Sequence, residues 1–261
     1  MTTKYGKQIV PTFTVTPYRI ILFQATQRPV YKVALTTETS WGRCKVTGRI
    51  GQRHADIVEA ILFVAEKKRT VCGELELLVD PAKVRKLLSD AGYSHARLWS
   101  NLREIMSAVI ELEPKDKRFR AMGHIIESVI ESPATRPDPL TGGQRHLWRF
   151  KVGDALLALM QHDLHLMYDP TPITRLKNGI SQAAARHILS HKSEPNGGWK
   201  LDSIIQFVVG EEPLSSVSLR HRRREIRSDA DGLAVVGITI DNDRLHHSPK
   251  ACSTGPTKLI K

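Results

Sequence analysis

Apolar residues recur at helical spacing along much of the chain. In residues 53–67, Ile57, Ile61, Val64 and Ala65 line one face, and Val58 and Leu62 widen it, which predicts a helix. Residues 75–79 are a short apolar run that reads as a strand. Asp80 followed by Pro81 is a helix start, because the carboxylate caps free N–H groups and proline suits the first turn. That helix, residues 81–90, carries Val84, Leu87 and Leu88 and ends at Gly92. Ser94 caps the next, with Leu98, Leu102, Ile105, Met106 and Val109 as its core face. A strand at 109–112 and a partner at 123–130 follow, separated by the basic segment 115–120. Residues 132–144 hold several prolines and glycines without periodicity and read as a loop. Upstream, residues 18–23, 30–36 and 41–47 read as strands, and Pro11, Pro17 and Pro29 forbid one long helix there.

The order recurs. Residues 152–161 predict a short helix and 164–168 a strand, with Pro170 and Pro172 breaking the chain. A helix at 181–191 shows Ala184, Ala185, Ile188 and Leu189, and the stretch HKSEPNGG interrupts it. Trp199 leads into a helix with Leu201, Ile204, Ile205 and Val208, stopped by Gly210. Ser215 or Ser216 caps a third helix running to about residue 231. Residues 233–240 and 244–247 flank a turn at 241–243, a second hairpin. The tail from Pro249 is polar and reads as loose.

Helices closing on a hairpin, twice over, predict an α+β fold of two tandem winged-helix domains, each a helix-turn-helix plus a β-hairpin wing, with N-terminal β-strands. The expected boundaries are residues 1–50 for the strand region, 51–163 for the first domain with a loop at 132–146, 164–248 for the second, and 249–261 for the tail.

Composition narrows the class. The chain has 261 residues, enough for one large or two small domains. Three cysteines, Cys44, Cys72 and Cys252, exclude a disulfide scaffold. No apolar run approaches the ~18 residues of a membrane span, and the first residues lack the apolar core of a signal peptide, so a cytoplasmic location is expected. Lys and Arg total 39 against 27 Asp and Glu, a net charge of +12, which points to nucleic acid.

The charge is concentrated in SLRHRRREIR, where Arg220, Arg222, Arg223, Arg224 and Arg227 face a single Glu225. Helical spacing puts Arg220, Arg223, Arg224 and Arg227 on one face, with Leu219 and Ile226 docking the other. Arginines this close repel one another unless an anion neutralises them. With Ser218, they are the expected DNA contacts of the second domain. The expected contacts of the first are milder: His95, Arg97, Ser100, Asn101 and Arg103 exposed on its third helix, and Lys115, Lys117, Arg118 and Arg120 on its wing. Ordinary solvated charge is the competing explanation.

No catalytic residue, cofactor site or metal site is expected. The sequence lacks GxxxxGK[ST], GxSxG and HExxH. His162 with His165, and His187 with His191, have metal-compatible spacing without a partner cluster and read as structural histidines. A nickase with a tyrosine nucleophile would need a His-apolar-His signature; His162-Asp-Leu-His165 followed by Tyr168 departs from it.

Three stretches carry a family resemblance: TGRIGQRHADIVEAILFVAEKK, ISQAAARHILSHKSEPNGGWKLDSIIQFVVG and SSVSLRHRRREIRSDADGLAVVG. They resemble the opening helix of the first domain, the paired helices of the second, and the basic reader helix entering its wing in plasmid replication initiators of the tandem winged-helix, iteron-binding kind. The resemblance implies a protein that binds repeated origin sites in double-stranded DNA, promotes opening of the origin and recruits the host helicase without hydrolysing anything. It also implies the host replicative helicase and initiator as partners, and a homodimer through the N-terminal region or first domain. A winged-helix transcriptional repressor would share the DNA-binding features.

Overall fold

The computed structural model describes residues 9–138, 142–210, 213–248 and 258–260. Among them are ten helices and several antiparallel sheets, an α+β architecture. The chain enters through β1 (Phe13–Thr14) and α1 (Thr16–Arg19), then forms β2 (Lys32–Glu38) and β3 (Gly42–Gly48). Next come α2 (Gln52–Val64), β4 (Lys67–Val71), β5 (Glu74–Val79), α3 (Pro81–Leu88) and α4 (His95–Ser107). β6 (Val109–Pro114), β7 (Ala121–Gly123), β8 (Ile126–Pro137) and β9 (Gln144–Val152) follow. The second half holds α5 (Asp154–His162), β10 (His165–Met167), α6 (Thr171–Thr174), α7 (Gly179–Leu189), β11 (Trp199–Lys200), α8 (Leu201–Val209) and α9 (Ser216–Ser228). It ends with α10 (Ala230–Val235), β12 (Ile238–Asp241), β13 (Arg244–His247) and β14 (Lys258–Ile260).

One connectivity occurs twice. In the first half α2 leads through β5 to α3, α4 and the hairpin β8–β9, and β5 pairs with β9, the later strand of that hairpin. In the second half α7 leads through β11 to α8, α9 and the hairpin β12–β13, and β11 pairs with β13. The physical logic is shared: a short strand between the first two helices ties the hairpin back to them. Caps set the helix starts. Asp80 accepts from the Ala82 N–H, Ser94 from Arg97 and Ser215 from Ser218. Gly210 ends α8 in the left-handed region at φ 65°, where a side chain would be strained.

Several sequence-based expectations are corrected. Tyr18 to Phe23 is no strand, since α1 and a buried turn occupy it. The segment 109–130 does not form the hairpin of the first half. β6 pairs with β7 in a separate sheet of order β2-β3-β6-β7, and β8 leaves for another sheet. The loop expected at 132–144 is instead the end of a long hairpin: Thr135 pairs with His146 and Pro137 with Gln144. Proline punctuation suggested a loop, but Pro133 and Pro137 sit on β8, an outer strand, where a missing N–H costs no ladder bond; residues 139–141 lie outside the described residues. Val109 belongs to β6 rather than to the helix before it. The third helix of the second half stops at Ser228, and α10 occupies 230–235, so the hairpin starts at Ile238. The tail from Pro249 lies mostly outside the described residues, but β14 pairs with β10.

The core runs unbroken through both halves. α2 and α7, the opening helices of the two repeats, pack together, and α1 lies on α7. Gly179 at the start of α7 lets the connection between α1 and β2 pass close by: a Cβ there would stand 2.5 Å from the Cα of Thr26. No helix among the described residues is long and apolar enough to cross a membrane.

Candidate nucleic-acid interface

The arginine-rich segment folds as α9. Ile226 is fully buried and Leu219 half-buried, so one side docks on the core. Fully burying a side chain such as Ile226 contributes ~1.5–3 kcal/mol. The other side faces solvent.

The five arginines separate into two groups. Arg223, expected on the open face, is turned to the flank: its guanidinium grips both carboxylate oxygens of Asp202 on α8, with Nε 2.6 Å from Oδ1. This pairing holds the Asp202 carboxyl below its ordinary range. Arg227 donates to Asp243 at 2.8 Å and to the Asn242 carbonyl at 3.2 Å, tying the helix end to the turn between β12 and β13. Arg222 pairs with Glu225 at 2.9 Å and lines a groove shared with β2 and the 21–26 segment. Arg220 and Arg224 are exposed and have no carboxylate within 4.0 Å among the described residues. One helical turn apart, they are the free cations of this surface. Ser218 is spent on the cap, its hydroxyl accepting from Ser215 Oγ at 3.1 Å.

The turn beside α9 is acidic. Asp241, Asn242 and Asp243 form it, and Asn242 holds φ 51°. These acids offset Arg227, so the open cationic part of α9 lies toward its N-terminal half.

The first half differs more from expectation. Asn101 is buried, not exposed; it donates to Tyr93 Oη at 2.6 Å and to the Arg97 carbonyl at 3.0 Å. Asparagine sits three and four residues from apolar neighbours, so its inward turn depended on Tyr93 supplying a partner. His95 is exposed but engaged. It accepts from Trp99 Nε1 at 3.2 Å and packs edge-on against Trp148. The Arg97 guanidinium lies 4.8 Å over the Tyr93 ring. Ser100 and Arg103 are exposed.

Lys115, Lys117, Arg118 and Arg120 are exposed, but they occupy the β6–β7 turn and not the hairpin that β5 joins. Arg118 pairs with Asp116. Phe119 stacks on His162 at 4.7 Å, which fastens the turn to α5. The hairpin β8–β9 carries its own cations, which sequence reasoning missed because the segment looked like a loop. They are neutralised locally: Arg145 by Asp80 at 2.6 Å, Lys151 by Glu74 at 2.7 Å, Arg149 by Glu76 at 3.9 Å and Arg136 by Glu66.

Tyr168 is buried, and its hydroxyl donates to Glu59. His165 meets the Met160 carbonyl at 2.7 Å, and His162 faces Phe119. These three residues point into separate environments and assemble no nucleophile site. His187 and His191 pack together, their Nδ1 atoms donating to backbone carbonyls of Tyr18 and His187. Among the described residues no three His, Cys, Asp or Glu side chains come together in a way that could hold a metal. No family model matches the chain, and no curated protein or solved structure matches it either.

Proposed function

We propose that the chain is a sequence-specific double-stranded DNA-binding protein built from two winged-helix units, with α9 as the principal reader helix. The observation that carries this reading is the outward face of α9, where Arg220 and Arg224 stand exposed without a carboxylate partner among the described residues. Two unneutralised guanidiniums on a docked helix, beside a hairpin, suit a major groove: arginine pairs bidentately with guanine and with phosphate. The net charge of +12 supplies the non-specific attraction. The first unit serves for phosphate contact and placement, since most of its hairpin cations are already paired with its own acids.

Within this class we place the chain with plasmid replication initiators, which bind repeated origin sites, promote origin opening and recruit the host helicase. Two α-helical units of the same connectivity support that placement, because repeated sites are met naturally by repeated readers. A transcriptional repressor of the same class is the competing reading. Footprinting on the DNA flanking the gene decides between them. Tandem protected repeats, together with replication of a plasmid carrying them only when the protein is supplied, are the expected result. A single protected operator without replication would favour the repressor.

A further inference from the structure

Val217 is the oddity of the α9 surface. It is 71% exposed, among the most open large apolar side chains in the structure. Ile226, nine residues on, is fully buried; at 3.6 residues per turn this is two and a half turns, so Val217 stands on the opposite side, at the centre of the outward face. Arg220 and His221 follow it by one turn and Arg224 by two, all exposed. No core contact accounts for an apolar β-branched side chain here, and Ser215 already caps the helix without it.

The charges around it fix which part of α9 can approach DNA. Arg227 at the far end is held by Asp243, and Asp241 lies in the same turn. At that end the acids of the turn offset Arg227, whereas Arg220 and Arg224 stay free to attract phosphate. The first two turns of the helix are therefore the part that approaches a groove, and Val217 leads them. An arginine finds guanine acceptors in the major groove; an apolar side chain beside it finds one apolar partner there, the C5-methyl group of thymine.

We infer that Val217 is a specificity-determining residue that selects a thymine through its methyl group, next to a guanine read by Arg220 or Arg224. The inference rests on the DNA-binding reading above. It predicts a thymine beside guanine in the preferred site, and it assigns that preference to one methyl contact.

The test begins with selection from a pool of randomised duplexes using the full chain. Each thymine of the enriched sequence is then replaced singly by deoxyuridine, which removes only the methyl group. Wild type should lose about fourfold in affinity at one such position, the effect of one buried methyl-sized group. Val217→Ser should bind the thymine and deoxyuridine duplexes equally at that position, with its unfolding transition unchanged. Enrichment without any deoxyuridine-sensitive position, or a sensitivity that persists in Val217→Ser, overturns the inference and leaves the DNA-binding reading standing. Failure to enrich any sequence overturns both.

Discussion

Arg186 on α7 and Glu59 on α2 form a two-pronged pair with neither side chain exposed: Nε to Oε1 and Nη2 to Oε2 are both 2.8 Å. Asp56 accepts from the same guanidinium at 2.6 Å, Gln52 accepts at 2.7 Å, and the hydroxyls of Tyr18 and Tyr168 donate to Glu59. Burial raises the Asp56 carboxyl above its ordinary value, while Arg186 pulls it back down. The opening helices of the two repeats are thus joined through one cation and its acids.

Arg186→Ala should destabilise the protein by ~3–5 kcal/mol, because it leaves two buried carboxyls without their counter-charge. Urea unfolding measures this. A loss below ~1 kcal/mol would mean that water reaches the network.

Tyr168→Phe should cost ~1–3 kcal/mol by removing one donor to Glu59. Supercoiled DNA incubated with wild type and a divalent metal should stay unnicked, since the hydroxyl is turned inward. Nicking by wild type that Tyr168→Phe abolishes would restore the tyrosine as a nucleophile.

Asp243→Asn should strengthen binding to any duplex. It releases Arg227 from its ion pair and removes a negative charge next to the proposed reader helix. The slope of log affinity against log salt should steepen by about one contact. Asp202→Asn should do the same through Arg223, unless that pair is needed to hold α8 against α9. An unchanged slope for Asp243→Asn would place the DNA away from this end of α9 altogether.

Stability should fall with acid between pH 6.5 and about 4. Burial, with Arg53 adding repulsion, pushes His54 down to about 4, and burial with neighbouring His191 does the same to His187. Both are neutral when folded and take up protons when unfolded at pH below 6.5. The stability they allow is complete above 6.5 and is lost as pH drops toward 4, at up to ~1.4 kcal/mol per pH unit for each. Urea midpoints at a series of pH values check it, and His187→Gln should flatten the profile. A flat wild-type profile would contradict the burial of both rings.

We also expect self-association through β2, the outermost strand of its sheet. Val33 is 77% exposed on it, with Val30 and Tyr31 exposed just before, and an open apolar edge pairs readily with its own copy about a two-fold axis. Sedimentation should show a dimer at micromolar concentration and a monomer for Val33→Lys. A wild-type monomer at all concentrations would leave the edge without this partner.

The second repeat was legible in the sequence nearly element by element. Its signals are local: a serine cap, Gly210, and apolar residues at helical spacing in short elements. In the first repeat α2, β5, α3 and α4 were equally legible, but the hairpin was not, because it comes after an intervening pair of strands. β6 and β7 are strands with a turn between them, and nothing within 109–130 shows that β6 pairs with distant β3 while β8 goes to β9. Asn101 likewise reads as a surface residue until Tyr93 is seen to accept it.

Local pattern is enough to specify most of the helices, and that a cationic helix precedes the last hairpin. Periodicity, caps and breakers act over a few residues, and neighbours in the chain suffice to express them. Which strands pair, and which charges stay free, depends on packing between distant segments. Five arginines look alike in SLRHRRREIR; Asp202 and Asp243, far away in sequence, take Arg223 and Arg227, and so leave Arg220 and Arg224 to face outward beside Val217. A charge is neutralised by whatever acid the fold brings within a few ångströms, and that distance is a property of the packed chain.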